Sequence, residues 1–152
     1  MLTVTNDRAL KALNNLLAIP QRFPQMAQTV RGETLGMAIV AAQANIYHTV
    51  PGAYQRTQDY LRSLDAQAQS TQQGVTVRVW SSSDYAAYIE YGRQGAQPQQ
   101  LVTAALGRNI NTPLTLGRSG RAWWIAGPVL TSAQVYAARR LHQLLLEAIK
   151  RI

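Results

Sequence analysis

Val75-Thr-Val-Arg-Val-Trp-Ser-Ser-Ser-Asp-Tyr-Ala-Ala-Tyr-Ile-Glu-Tyr-Gly92 runs from an alternating strand, through a polar cap, into a short helix stopped by glycine. Val75, Val77 and Val79 fall on one side of a period-two strand, and Thr76, Arg78 and Trp80 on the other. Ser83 or Asp84 can accept hydrogen bonds from the free amides of the next turn, and Gly92 can take the left-handed conformation that ends a helix. Tyr85, Tyr88 and Ile89 share the apolar stripe of the two turns between, which the spacing predicts to be buried. Glu90 then reads as a partner for Arg93, and Val75, Val77 and Val79 as core.

Upstream, Leu64, Ala66, Ala68 and Ser70 alternate with polar residues, and Thr71-Gln-Gln-Gly74 supplies a hairpin loop into the strand from Val75 to Trp80. Two antiparallel strands alone are marginal, so a third is expected, from Trp123 to Ala126 or from a neighbouring subunit. Thr5 or Asn6 can cap a first helix from Asp7 to Ile19, striped by Leu10, Leu13, Leu16 and Leu17. A second helix is predicted from about Pro24 to Tyr47, with Leu35, Ile39, Ala42 and Ile46 facing the core. Gly32 and Gly36 weaken it or admit another backbone. A last helix runs to Ile152, capped by Thr131 or Ser132, with Val135, Ala138, Leu141, Leu145 and Ile149 on its apolar face. The fold class is therefore α+β: a small antiparallel sheet packed against a long N-terminal helix pair and a C-terminal helix.

With 152 residues the chain has the length of one domain. Charged residues make up only 14% of it, yet Lys and Arg outnumber Asp and Glu by 15 to 7, for a net charge of +8. No acidic residue occurs between Glu90 and Glu147, so this half carries a positive field. It faces nucleic acid or an acidic partner, or it is a set of solvated arginines. Residues 93–122 hold four arginines, four glycines and two prolines, and a loop of that length is unusual unless functional or disordered; residues 101–106 can form a turn of helix within it. Arg93, Arg108, Arg118 and Arg121 are the candidates to contact DNA phosphates or a neighbouring subunit. Trp123 and Trp124 are the candidate interface anchors, one of them core.

The absence of cysteine excludes disulfides and thiolate chemistry. His48 and His142 have no metal-ligand spacing, and Gly117-Arg-Ser-Gly120 is neither a nucleophile elbow nor a phosphate loop. Asp84 and Glu90, six residues apart on a helix, cannot flank one bond. No catalytic, cofactor or metal site is expected. The first residues lack a signal-peptide pattern, and the most apolar stretch, 35–46, is about half a membrane span, so the sequence reads as neither secreted nor membrane-embedded.

In order, these elements resemble the putative tail-component family of lambdoid-type tailed phages, small neck or tail-completion proteins. The specific part is Tyr85-Ala-Ala-Tyr-Ile-Glu-Tyr-Gly92, similar to the family's Tyr-Ala-x-Tyr-Val-Glu-Tyr-Gly helix, so that Tyr85, Tyr88, Ile89, Glu90, Tyr91 and Gly92 are its scaffold residues. Tyr54-Gln-Arg-Thr57 followed by Leu61-Arg-Ser63 is similar to a Thr-Gly-x-Leu-x-x-Ser segment, with Gln58 where the family commonly has Gly and the leucine one place late. Residues 127–133 resemble a degenerate Pro-Phe-Leu-x-Pro-Ala lead into the last helix. The resemblance implies one tail-completion domain over 1–152, acting as a virion ring subunit at the head-tail junction. It implies contacts to an adaptor or stopper, to a tail terminator or tail-tube protein, and to DNA in the lumen, without enzymatic activity or cofactor. Such a protein resides in the host cytoplasm during assembly. The alternatives are a non-sequence-specific nucleic-acid-binding module using the arginine loop, and an enzyme whose site forms between subunits around His142.

Overall fold

A computed structural model describes residues 7–53 and 56–151. The expected cap at Thr5 or Asn6, residues 54–55 of the upstream segment and the end of the last helix at Ile152 lie outside them. Helix α1 (Asp7–Leu17) passes through a tight 3₁₀ turn (Ile19–Arg22) into α2 (Phe23–Ala42), which a wider π turn (Gln43–Tyr47) prolongs into one long bent helix. Pro20 and Pro24 fall in first turns, where a missing amide costs nothing, so they bend the entry without breaking α2. The short α3 (Asp59–Arg62) leads into strands β1 (Leu64–Thr71) and β2 (Gly74–Ser81), which pair antiparallel in a register from Leu64 with Ser81 to Thr71 with Gly74. After these come α4 (Ala86–Tyr91), α5 (Pro98–Leu106) and α6 (Val129–Lys150). The architecture is α+β, as the sequence pattern predicts.

The sheet has two strands; among the described residues Trp123 to Ala126 forms turns and adds no third. One sheet face, Leu64, Ala66 and Val79, joins the main core with Met37, Ala38, Ala41 and Ala42 of α2, Tyr60, Ile89, and Val129 and Ala133 of α6. The other carries Gln67, Arg78 and Trp80, with the Arg78 guanidinium 6.0 Å from the Trp80 ring. A second core joins Leu101 and Ala105 of α5 to Leu114 and Val135. Residues 93–122 are thus not one loop: α5 is longer than the single turn expected, and it is anchored.

Of the expected helix faces, Ala42 and Val135 are buried, but the rest of each face is rotated from the sequence expectation. Along α2 and its π turn the deepest positions are Val30, Thr34, Ala38, Ala41, Ala42 and Asn45, so Ala42 is core as expected, while Leu35 and Ile46 pack only at the margin of the core and a Cβ added at Gly32 or Gly36 would meet nothing within 4 Å. On α6 the buried face is Val129, Ala133, Val135, Ala137 and Ala148, whereas Leu145 and Ile149 are exposed. The reason is size: alanines let two helices approach closely, and the bulkier aliphatic stripes are displaced outward. On α1 no residue is buried, so its leucine stripe does not join this core. Midway along the pair, Glu33 of α2 accepts hydrogen bonds from Arg140 Nε at 2.7 Å and from the Tyr136 hydroxyl at 3.0 Å.

Candidate functional site

The strand-cap-helix motif forms a joint that fixes the start of α6. Helix α4 has too few turns to stand alone, and its end is held from outside. The amide of Gly127 donates to the carbonyl of Ile89 at 2.7 Å and that of Arg93 to the carbonyl of Trp124 at 2.9 Å. Gly92 has φ of 69°, and a Cβ there would lie 2.6 Å from both Ala126 N and Trp124 O. Only glycine satisfies the backbone angle and the close approach together.

Glu90 is 2% exposed, and its two carboxylate oxygens accept the amides of Leu130 at 2.8 Å and Thr131 at 2.7 Å. A remote carboxylate therefore does for α6 what an N-cap side chain ordinarily does, at the positive end of the helix dipole. This corrects two expectations. Glu90 does not face Arg93; Thr131 and Ser132 lie inside the helix rather than capping it, with Ser132 Oγ donating to the carbonyl of Pro128 and accepting the amide of Leu114. Burial pushes the Glu90 carboxyl above its ordinary range, against the opposing pull of the α6 amides. Neither Ser83 nor Asp84 caps α4: the Ser83 carbonyl accepts the Ala86 amide, and the buried Ser83 hydroxyl has no partner among the described residues. Tyr85 and Tyr88 stand at the surface instead of in a buried stripe; of the three, Ile89 alone is buried.

Trp123 is half-buried and stacks on Tyr88 with ring centroids 6.0 Å apart, and exposed Trp124 meets Trp123 edge-on. The two tryptophans and Tyr88 of α4 thus form one aromatic surface beside the joint. The four candidate arginines divide. Arg118 is half-buried, donates Nη1 to the carbonyl of Ile125 at 2.8 Å, and lies so close to Gly127 that a Cβ there would be 2.7 Å from its Cδ. Burial pulls its guanidinium below the ordinary arginine value. Arg93, Arg108 and Arg121 are exposed, and the carbonyl of Arg108 accepts Nη1 of Arg139 at 2.7 Å. Gly120 donates its amide to Val50 at 2.8 Å, and a Cβ on either Gly52 or Gly120 would run into the other's backbone, so the loop is pinned against the end of α2.

His48 and His142 are exposed, Asp84 is exposed while Glu90 is buried, and among the described residues no cluster of His, Cys, Asp or Glu could hold a metal. No described helix is long and apolar enough to cross a membrane. Sequence reasoning missed the anchoring role of Glu90. The available signal was a helix start at Gly127-Pro128-Val129 with no polar residue before it, together with a carboxylate inside a short apolar helix. It also missed Asn45, whose Nδ2 donates to the carbonyls of Ala41 and Leu114 from the C-terminal end of the buried α2 stripe. Neither a protein-family model, nor a curated protein, nor a solved structure matches the chain.

Proposed function

We propose that the chain is a structural virion protein of a tailed-phage neck, a tail-completion or head-tail joining ring subunit between connector and tail. The observation that carries the reading is that the motif residues of the resemblance have separate physical jobs in one joint: Glu90 anchors α6, and Gly92 admits the backbone of residues 124–126. Gln58 adds support, since it stands at the position of the family's glycine and holds a left-handed backbone with φ of 62°. A scaffold bearing an aromatic surface and exposed leucines suits a protein that works through its interfaces.

Its partners in this reading are further copies of itself, a head-tail adaptor or stopper, and a tail terminator or tail-tube protein, with viral DNA in the lumen. The test is the mass of the purified protein alone and mixed with the products of adjacent morphogenesis genes. Rings, or capture of a neck or tail protein that is lost on Trp124→Ala, are expected. A monomer that binds none of them overturns the proposal.

A further inference from the structure

We propose that the cavity between the end of the long bent helix and the 118–123 loop binds a peptide carboxylate, whose oxygens pair with Arg118 while the neighbouring amide N–H donates to Asn45. The site goes beyond the neck reading and does not depend on it. The cavity has a volume of about 170 Å³, with Asn45, Ile46 and Thr49 on the helix side and Arg118, Ser119 and Trp123 on the loop side. Pockets that take whole small molecules run to roughly 300–1,000 Å³, so this one suits the end group of a larger ligand.

Two groups in the wall lack the partner their chemistry calls for. Asn45 is 1% exposed, and its Nδ2 donates to two carbonyls, at 2.9 and 3.0 Å, which fixes the orientation of the amide. Its Oδ1 is buried and has no partner among the described residues. A buried acceptor in that state is costly, and a ligand that brings a donor removes the penalty. Arg118 is half-buried, donates Nη1 to the carbonyl of Ile125, and pairs with no carboxylate among the described residues. Its other N–H groups are unpartnered, and a cation withdrawn from water calls for a counter-charge. Both side chains lie against Gly127, where an added Cβ would be 2.7 Å from Arg118 Cδ and 3.3 Å from Asn45 Cβ.

The other walls are fixed before a ligand arrives. Arg56 also lines the cavity, but its Nη1 donates to the carbonyls of Tyr47 and Thr49 and its Nη2 to Thr49 Oγ1 and the carbonyl of Val50. It therefore adds positive potential without a free fork. Ser119 Oγ accepts the amides of Arg121 and Ala122, which leaves its hydrogen to donate to an incoming oxygen. Ile46 and Trp123 supply an apolar wall, and the close approach of Gly52 to Gly120 pins the loop against the helix end. Such preorganisation lowers the cost of binding.

The class of ligand follows from these demands. Two guanidinium groups and a hydroxyl donor call for an anion, and the planar fork of Arg118 matches a carboxylate. Asn45 Oδ1 calls for a donor within a few bonds of that anion. A phosphodiester carries none, whereas a peptide carboxylate has an amide N–H beside it. This holds for a C-terminal carboxylate and for an aspartate side chain, the two sources of the same chemistry.

The wild-type protein is titrated, with NMR detection, with N-acetylalanine, which presents a chain end, and with the α-amide of N-acetylaspartate, which presents a side-chain carboxylate beside an amide. At least one is expected to move the Trp123 indole and Asn45 side-chain amide signals while the Trp80 indole stays in place, and the tighter of the two identifies the source. N-acetylalanine amide, which lacks the carboxylate, and acetate, which lacks the donor, are each expected to bind at least tenfold more weakly than that ligand. Arg118→Gln is expected to weaken binding at least tenfold, whereas Lys150→Gln, which removes a charge outside the pocket, leaves it unchanged. Unmoved Trp123 and Asn45 signals with both ligands, or equal binding of acetate, inorganic phosphate or the carboxylate-free amide, overturns the proposal. Undiminished binding in a folded Arg118→Gln protein overturns it too; if that variant does not fold, the ligand series on the wild type decides.

Discussion

Replacing Glu90 by alanine removes two hydrogen bonds, of 2.7 and 2.8 Å, and leaves the amides of Leu130 and Thr131 without their acceptor. The loss is expected to be about 2–4 kcal/mol in a denaturant melt, because the bonds are charge-assisted and cap a helix. Glu90→Gln keeps an acceptor and is expected to lose less; equal losses would show that the carboxylate contributes only bulk. The pH dependence has a definite sign. Burial raises the Glu90 carboxyl, so the folded protein holds its proton more tightly than the unfolded chain. Its contribution is full below the ordinary carboxyl range and falls away as pH rises through the raised folded value. Glu90→Gln is expected to abolish that part of the pH profile. Glycine replacements run in opposite directions at two sites. Gly92→Ala puts a Cβ 2.6 Å from two backbone atoms and is expected to cost at least ~2 kcal/mol. Gln58→Gly relieves a side-chain-bearing residue at φ of 62°, and a gain of about 0.5–1 kcal/mol is expected, net of the entropy glycine adds to the unfolded chain. A melting temperature that falls in the Gln58→Gly variant would contradict the strain argument.

Between elements, the α2 and α6 pair depends on an apolar seam of small residues and one partly buried ionic tie. Arg140 and Tyr136 both bind the Glu33 carboxylate, and the Arg140 hydrogen bond holds its pKa below the usual value despite some burial. The sign is opposite to that of Glu90. The tie is fully present above the unfolded carboxyl pKa near 4.5 and is lost as pH falls through the lower folded value. Acid unfolding of the wild type is therefore expected to be steeper than that of Glu33→Gln below about pH 4.5, and superimposable curves would exclude the tie as a source of acid sensitivity. Element types were readable because their periods are strong: valines alternate in β2, prolines start helices, and Gly74 and Gly92 mark ends. Facing was not, because hydrophobic size misleads where alanines make the closest seam. Ala38, Ala41 and Ala133 go inside while Leu10, Leu145 and Ile149 stay out, since a stripe of leucines identifies a surface to be covered without saying by which chain. The Glu90 anchor was hidden for a different reason: it links residues forty positions apart, and a carboxylate beside an arginine reads locally as a surface pair.

At the scale of the whole molecule, the excess of positive charge is distributed unevenly in its availability. Three of the four candidate arginines, Arg93, Arg108 and Arg121, are open to an incoming phosphate, whereas Arg118 spends one guanidinium nitrogen on the carbonyl of Ile125 and packs against Gly127. Neutralising a phosphate releases condensed counterions, so each arginine that reaches duplex DNA steepens the slope of log K against log salt by about 0.9. If the exposed trio faces DNA, replacing all three by glutamine flattens the slope by about 2–3 and weakens binding alike for unrelated sequences. Arg118→Gln should separate from the trio in both readouts: it lowers the melting temperature by releasing the 118–127 contacts and leaves the salt slope unchanged. A slope that changes with Arg118 and not with the trio would mean that this loop opens on DNA and presents its buried cation. A slope indifferent to all four would assign the charge to acidic protein partners instead, which the long carboxylate-free run from Arg93 to Leu146 would suit equally well.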